Sequence, residues 1–263
     1  MTPAQVFIRP PDAAMQAALG QQPHAAAIDV ALAQAQHHLL ADALAAAGCT
    51  VNELPAAAGH PDACFVQDVA LLLPDLAILA WPAEPSRQAE VALFRPHLPA
   101  HLPVAAIQAP GTLEWGDVLR LDDTFYVGLS ARSNAAGAAQ LAALLQPLGL
   151  RVATLPVLRG LHLLTGVNSL GRGPQGNDER TVVLAWPDYA DLPELAGCDL
   201  ILVPPEEAPA ANCLALGDTV LVPAGYPRTA AQIWQRGYRV LAVPLSEFAK
   251  ADGGVTCLCV MMA

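Results

Sequence analysis

Basic residues are scarce in this chain of 263 residues: 13 Lys and Arg stand against 24 Asp and Glu, which gives a formal net charge of −11. Nucleic-acid binding requires Lys and Arg clustered on one surface, whereas the basic residues here are scattered along the sequence. Nucleic acid is therefore excluded as an expected partner. The acidic balance is compatible with a cationic substrate, although such charge most often serves solubility.

Long apolar runs are also missing. The longest, from Val69 to Trp81, is interrupted by Pro74 and Asp75, so it is too short to cross a bilayer. Residues 1–10 lack the basic segment and following apolar segment of a secretory signal. With 54% hydrophobic and 14% charged residues, the composition is typical of a globular protein. We expect a cytoplasmic location without membrane contact.

Cysteine pairs suited to metal binding are absent as well. The sequence has six cysteines but no CxxC pair, and without export signals they are expected to be reduced thiols. Cys257 and Cys259 lie two residues apart, so on a strand they would share one face. A zinc site would need two further ligands at suitable spacing, and none is evident. No metal or other cofactor is expected.

Alanine-rich helices and short hairpins alternate along the chain, which favours an α/β fold in one large domain or two small ones. Ser86 and Thr229 are placed to cap helices, and Gly48 and Gly149 to end them. The predicted helices are Ala26 to Ala47, Ser86 to Phe94, Asn134 to Leu148 and Thr229 to Arg236. The predicted hairpins are Val69–Leu73 with Leu76–Ala80, Val118–Leu121 with Thr124–Val127, and Cys213–Leu216 with Thr219–Val222.

A period of 45 to 50 residues separates five polar residues: Asp68, Glu114, His162, Asn212 and Cys257. Each stands at or near the start of a β segment, with His162 opening a run from 161 to 169 and Cys257 within a run from 255 to 261. Such a period indicates repeated supersecondary units. Five units around an axis would bring these residues together at its centre. A chance selection among the polar residues of an α/β chain remains open.

Three of these residues could form a catalytic set. A cysteine attacks as a thiolate and needs an activating environment, a histidine can donate a proton to a leaving amine, and a carboxylate can orient that histidine. Cys257, His162 and Glu114 supply one of each. Buried cysteines and histidines are more often structural, and His162 is flanked by leucines, so the chemistry alone leaves both interpretations open.

Short strings along the chain look like motifs of the dimethylarginine dimethylaminohydrolases. They run in the same order from about Ile8 to the carboxyl end, and their combination is specific. The strings are FVQD at 65–68, EWGD at 114–117, SARSNAAG at 130–137, LHL at 161–163, AANC at 210–213, YPRT at 226–229 and SEFAKADGGVTC at 246–257.

The resemblance implies a pentein α/β propeller, in which five ββαβ-like units surround a pseudo-fivefold axis. Residues 1–263 would then form a single catalytic domain. The implied partner is a small guanidino amino acid, no cofactor or metal is required, and a homodimer is left open.

Carried over position by position, the resemblance makes Cys257 the nucleophile, His162 the general acid and base, and Glu114 its orienting partner. The other matched positions would bind the substrate: Asp68 the guanidinium, with Asp62 and Asp117 as helpers; Phe65 the alkylated end; Arg87 and Arg132 the α-carboxylate; and Leu19 the loop over the substrate amine.

The implied reaction is hydrolysis of asymmetric dimethylarginine or monomethylarginine to citrulline and an alkylamine, through an alkylthiouronium on Cys257. Deiminases of this fold carry a second acid two residues after the histidine; Leu164 stands there instead and favours an alkylated guanidine. Arginine deimination, amidino transfer and a non-catalytic binding propeller remain as alternatives. Gln67, Trp115 and Trp81 depart from the family pattern, and Trp115 in particular is expected to reshape the pocket.

Overall fold

The computed structural model describes residues 4–20, 27–174 and 180–262. Within these ranges the chain forms fifteen strands and six α-helices. The helices are α1 (Val30–Ala46), α2 (Pro85–Phe94), α3 (Ala135–Leu145), α4 (Leu163–Gly166), α5 (Pro227–Gln235) and α6 (Ser246–Ala249). None of the described helices has the length and apolar character that a membrane span requires.

The strands are short, three to six residues each. In chain order they are β1 (Gln5–Ile8), β2 (Thr50–Glu53), β3 (Ala70–Leu73), β4 (Leu76–Leu79), β5 (Val104–Ala106), β6 (Val118–Leu121), β7 (Thr124–Leu129), β8 (Arg151–Pro156), β9 (Val167–Arg172), β10 (Thr181–Ala185), β11 (Asp199–Leu202), β12 (Leu214–Leu216), β13 (Thr219–Pro223), β14 (Arg239–Val243) and β15 (Val260–Met262).

The strands group into five units with one shared topology. In four of the units an antiparallel hairpin is followed by a third strand that lies parallel to the second. These units are β3-β4-β5, β6-β7-β8, β9-β10-β11 and β12-β13-β14. In the third of these, two short 3₁₀ turns replace the helix between β10 and β11. The five ββαβ-like units implied by the resemblance are therefore confirmed.

The two ends of the chain complete the fifth unit. Strand β15 pairs antiparallel with β1, where Met262 lies opposite Gln5, and β1 pairs parallel with β2. Strand β15 also contacts β3 through Met262 and Leu72. The last segment of the chain, which carries Cys257, is thereby fastened next to the first complete unit, which carries Asp68.

Each unit is preceded by a short helical turn, and we call these five the axial turns. They are Val66–Val69, Trp115–Asp117, Leu163–Gly166, Pro205–Ala211 and Thr256–Leu258. The first packs against the second and the fifth, and the third packs against the second and the fourth. A hydrogen bond from Thr256 N to Asn212 Oδ1 closes the ring. The predicted convergence of the periodic residues at an axis is thus confirmed.

Several predicted element boundaries were wrong, because local capping decided them differently. Helix α1 begins at Val30, where the Asp29 side chain accepts from Leu32 N; the predicted start, Ala26, lies outside the described residues. Helices α2 and α5 begin at Pro85 and Pro227, not after Ser86 and Thr229, since proline is favoured in the first helical turn.

The residues around His162 and Cys257 also differ from the predicted strands. His162 precedes the short helix α4, and strand β9 begins only at Val167. Cys257 lies in a 3₁₀ turn before β15, so it does not share a strand face with Cys259. A turn rather than a strand presents each side chain toward the axis.

Candidate active site

The axial turns bring three ionisable side chains into one buried cluster. One ligand-type atom from each of Asp68, Glu114 and His162 lies within 4.8 Å of the other two. Glu114 is 0% exposed, Asp68 4% and His162 5%. Buried charges of this kind must be paired, so the contacts within the cluster define its chemistry.

His162 is held by Glu114. Its Nε2 lies 2.9 Å from Glu114 Oε2 and 4.0 Å from Asp68 Oδ1. Burial lowers the pKa of His162, but the charge of Asp68 and the hydrogen bond to Glu114 outweigh it and raise the pKa to about 9. The imidazole therefore carries its proton at neutral pH and can serve as an acid.

Gly116 makes room for this arrangement. A Cβ at position 116 would lie 2.7 Å from His162 Nδ1 and 2.8 Å from Asp68 Oδ1, closer than such atoms approach. The backbone N–H of Gly116 instead donates to Asp68 Oδ1 at 3.0 Å. Within the EWGD string, Glu114 is thus the acid that contacts the imidazole, and Gly116 both leaves space for the imidazole and donates to Asp68.

Asp68 is an anion in spite of its burial. Burial alone would raise its pKa, but the charges of His162 and Arg87 and the hydrogen bonds from Arg87 and Gly116 lower it below the usual value. An ionised carboxylate beside the imidazolium suits the binding of a cation such as a guanidinium.

Arg87 lies inside the site and pairs with its acids. Its Nη1 donates to Asp68 Oδ2 at 2.7 Å and lies 3.8 Å from Glu114 Oε2. Its Nε and Nη2 both donate to Glu90 Oε2, and Nη2 also donates to Phe65 O. The predicted carboxylate clamp is therefore engaged with protein groups in this structure.

Arg132, the second predicted clamp, reaches Glu114. Its Nη1 lies 3.4 Å from both carboxylate oxygens, and the side chain is largely buried. Glu114 thus contacts the imidazole on one side and an arginine on the other. Two guanidinium groups beside the acids disfavour a divalent cation, because like charges repel strongly in a buried site.

Glu90 is a buried acid that the sequence analysis missed. It receives the forked contact from Arg87, and burial raises its pKa to about 7 against the lowering charge of that arginine. The available signal was its spacing of three residues from Arg87 on a predicted helix, which places the two side chains on one face.

The other predicted substrate-binding residues fall into two groups. The Asp62 carboxylate accepts from Leu19 N at 2.9 Å, so the structure brings these two residues together. Asp117 contacts protein donors with both oxygens: Oδ1 accepts from Leu163 N at 2.9 Å and Oδ2 from Ser130 Oγ at 2.6 Å. Asp117 therefore fastens the turn that carries His162.

Cys257 is half-buried, and its sulfur contacts the backbone of the residues just before it. The backbone N–H of Gly254 donates to Sγ at 3.4 Å. Burial and the charge of Asp68 raise the pKa of Cys257 to about 11, against lowering contributions from Gly254 N–H and the Thr256 hydroxyl. The resting side chain is therefore a thiol, which ionises more readily when a cation neutralises Asp68.

Phe65 packs against the loop that precedes Cys257. Its ring packs edge-on against Phe248, with centroids 6.3 Å apart, and a Cβ at Gly253 would lie 2.3 Å from it. A cavity of about 160 Å³ opens beside the same loop and is lined in part by Gly253, Gly254 and Asn212. Cys257 itself is not among the residues that line this cavity.

The departures from the family strings lie mostly behind the site. The Trp115 side chain is 3% exposed and packs in a core cluster with Leu73 and Phe125, and it also lines a cavity with Gln67 and Thr256. Gln67 accepts from the Thr256 hydroxyl at 2.9 Å. Trp81 is 36% exposed, and the buried Leu164 packs against the core.

Relatives of known family resemble the chain over most of its length. It is 38% identical over 232 residues to the N(G),N(G)-dimethylarginine dimethylaminohydrolase of Pseudomonas aeruginosa, covering 88% of both chains. It is 36% identical over 237 residues to the enzyme of that name from Streptomyces coelicolor, covering 89% of this chain and 88% of the relative. The chain matches no protein-family model.

A solved structure agrees with these relatives. The structure of the Pseudomonas aeruginosa enzyme complexed with citrulline superimposes with a TM-score of 0.93 at 34% identity, covering 100% of both chains. The extent of these similarities matches the region over which the short strings occur. The chain belongs to the dimethylarginine dimethylaminohydrolase family.

Proposed function

We propose that this protein hydrolyses an N-omega-methylated arginine, asymmetric dimethylarginine or monomethylarginine, to citrulline and an alkylamine. The observation that carries the proposal is the contact of the His162 imidazole with Glu114 at 2.9 Å, on a ring of turns that also carries Asp68 and Cys257. This set supplies an acid, an anion for the guanidinium and a nucleophile. The proposed reaction is also the one in the names of the two relatives.

Substrate binding is proposed as an exchange of ion pairs. The substrate guanidinium binds Asp68, which now pairs with Arg87 at 2.7 Å. The substrate α-carboxylate binds the guanidinium groups of Arg87 and Arg132, for which a bidentate geometry is suited. Asp62, close to Leu19, is proposed to bind the α-amino group.

The first chemical step uses the substrate's own charge. A guanidinium beside Asp68 offsets the carboxylate that raises the pKa of Cys257, so the thiol loses its proton to solvent more easily. The thiolate attacks the guanidinium carbon and forms the C–S bond. His162 donates its proton to the departing nitrogen as the C–N bond breaks, which leaves an alkylthiouronium on sulfur and releases the alkylamine.

The second step regenerates the thiol. The neutral imidazole of His162 takes a proton from water, whose oxygen attacks the same carbon. The C–S bond then breaks, the proton of the added hydroxyl passes to the departing sulfur, and a ureido product is released. Glu114 stays hydrogen-bonded to the imidazole throughout and keeps one nitrogen oriented. Asp117 is proposed to hold the His162 turn through Leu163 N, and Phe65 to line the pocket at the alkylated end.

The proposal describes a single catalytic domain over residues 1–263 that acts in the cytoplasm on a small guanidino amino acid, without nucleic acid as a partner. Six free cysteines and the acidic net charge support it. A homodimer is the proposed alternative to a monomer, and sedimentation at several concentrations decides between them.

A product assay over a panel of guanidines tests the proposed reaction. The panel contains asymmetric dimethylarginine, monomethylarginine, arginine and a decarboxylated analogue, with Cys257→Ser as the control enzyme. We expect alkylamine and citrulline in equal amounts from the methylated amino acids. Ammonia from arginine at a higher rate, or a requirement for an amine acceptor, would replace the proposal by deimination or amidino transfer.

A further inference from the structure

Asn212 is the one residue of the 45–50 residue period that has no role in the proposed mechanism. It follows the axial turn Pro205–Ala211 and is 5% exposed. Its Nδ2 lies 2.9 Å from Thr256 Oγ1, 3.1 Å from Leu164 O and 4.0 Å from Cys257 Sγ. The carboxamide therefore borders the nucleophile.

Hydrogen bonding fixes which end of this carboxamide faces the sulfur. Thr256 N can only donate, and it lies 2.9 Å from Asn212 Oδ1. The carbonyl of Leu164 can only accept, and it lies near Nδ2. A rotation that exchanged Oδ1 and Nδ2 would bring two donors together and two acceptors together. The N–H₂ group is consequently the end that faces Cys257.

A second donor approaches the same sulfur. The N–H of Gly254 donates to Sγ at 3.4 Å. A Cβ at Gly254 would lie 2.3 Å from both Cγ and Oδ1 of Asn212, so a glycine is required for the loop to pack against the carboxamide. The close packing of Asn212 on Gly254 places both donors at one sulfur atom.

We propose that the carboxamide N–H of Asn212 and the backbone N–H of Gly254 form a donor pair that stabilises the Cys257 thiolate, with Thr256 positioning the carboxamide. The inference rests on the proposed role of Cys257 as nucleophile. A half-buried thiolate near the Asp68 carboxylate benefits from such donors, because it has lost part of its hydration and faces a like charge. The longer contact shortens as the sulfur ionises, since charge-assisted hydrogen bonds are shorter than neutral ones.

Asn168 is a second asparagine in the same region, and its side chain has a purely structural role. Its Nδ2 donates to Leu164 O at 2.6 Å and to Ala211 O at 2.9 Å. Asn168 thus shares an acceptor with Asn212 and braces the same turns, while its donor is directed to backbone carbonyls. It is the matched control for any effect of general loosening.

The test is the alkylation of Cys257 by iodoacetamide in the enzyme without substrate, measured against pH by peptide mass spectrometry. Hydrogen bonds to a charged group contribute about 1.5–3 kcal/mol, and the greater nucleophilicity of a more basic thiolate offsets part of that. We therefore expect Asn212→Ala to alkylate about threefold to tenfold more slowly near neutral pH. Asn168→Ala is expected to alkylate at the wild-type rate even where its unfolding temperature falls.

Two further variants keep the test decisive if Asn212→Ala does not fold. Asn212→Leu keeps the size of the side chain and removes the donor without adding a charge, so slower alkylation is again expected. Thr256→Val removes the acceptor of Nδ2 and also the direct contribution of the hydroxyl to Cys257, so it should slow alkylation at least as much as Asn212→Ala, whereas Thr256→Ser should keep the wild-type rate.

Wild-type alkylation rates in the Asn212 variants, or equal slowing in Asn168→Ala, would overturn the inference. Because no substrate is present, that outcome is distinct from a failure of the proposed hydrolysis, which the product assay reports.

Discussion

Arg87 Nη1 lies 2.7 Å from Asp68 Oδ2, at the acid proposed to bind the substrate guanidinium. The same arginine is forked onto Glu90 on its own helix. An internal guanidinium is therefore paired with the acidic cluster.

Replacing Asp68 should affect binding and the nucleophile in opposite directions. Asp68→Asn removes a charged partner of the substrate, worth about 1.5–3 kcal/mol, so we expect kcat/KM to fall about tenfold to hundredfold. It also removes a charge that raises the pKa of Cys257, so iodoacetamide should alkylate Cys257 faster than in the wild type. The exposed Asp75→Asn serves as the control. Slower alkylation in Asp68→Asn would contradict the proposed electrostatics.

The Glu114 carboxylate should set the protonation of His162. The pKa of His162 is raised to about 9 by Asp68 and Glu114, against burial. Glu114→Gln keeps the shape of the side chain but removes its charge. The limb of the pH profile of activity that reports loss of the His162 proton should therefore move to lower pH. Because acid–base groups contribute about 10²-fold or more, kcat should fall by at least that factor. Glu206→Gln, at an exposed ion pair with Arg228, should leave the profile unchanged.

Trp115 should matter for stability and little for substrate binding. Its side chain packs in the core, and within the part of the chain that the structure describes its Nε1 has no hydrogen-bond partner. Trp115→Phe is therefore expected to change the free energy of unfolding by about 1 kcal/mol. KM for the methylated substrate is expected to stay within a factor of about two of the wild-type value, a range that we take as unchanged binding. Denaturant unfolding and steady-state kinetics measure the two quantities. A large change in KM without a change in stability would place the indole in the pocket.

His37 should make the fold sensitive to acid. It is 0% exposed, neither ring nitrogen has a hydrogen-bond partner among the described residues, and burial together with the charge of His38 lowers its pKa to about 4. Between pH 6.5 and 4 the unfolded chain takes up a proton that the folded chain does not, so stability falls as the pH falls. The shift corresponds to about 3 kcal/mol.

Urea unfolding from neutral to acidic pH measures this loss. His37→Leu should remove it and should also stabilise the protein at neutral pH, because two unsatisfied buried atoms disappear. The exposed neighbour His38→Leu should retain most of the pH dependence, because burial is the larger cause of the lowered pKa of His37. If His37→Leu loses as much stability on acidification as the wild type does, another group is responsible.

The sequence allowed the repeat and its centre to be predicted. The spacing of Asp68, Glu114, His162, Asn212 and Cys257 reflects one turn per unit, and such regularity survives in a linear sequence. Hairpins around two-residue turns were predicted within a residue or so, because their signals are local.

Side-chain contacts across the axis could not be predicted in the same way. The pairing of Arg87 with Asp68, the use of both Asp117 oxygens by protein donors and the burial of Trp115 on the far side depend on which units become neighbours. Cys257 was expected on a strand because its flanks are apolar; the turn forms because Gly254 N–H and Asn212 hold it, and these contacts are tertiary.

Trapping of the covalent intermediate tests the central claim most directly. The enzyme is mixed with asymmetric dimethylarginine and quenched with acid during turnover, and the intact protein and its peptides are weighed. We predict an adduct with the mass of the substrate less dimethylamine on the peptide that contains Cys257, and none in Cys257→Ser. Citrulline formation that continues in Cys257→Ser, or an adduct on another cysteine such as Cys259, would contradict the account.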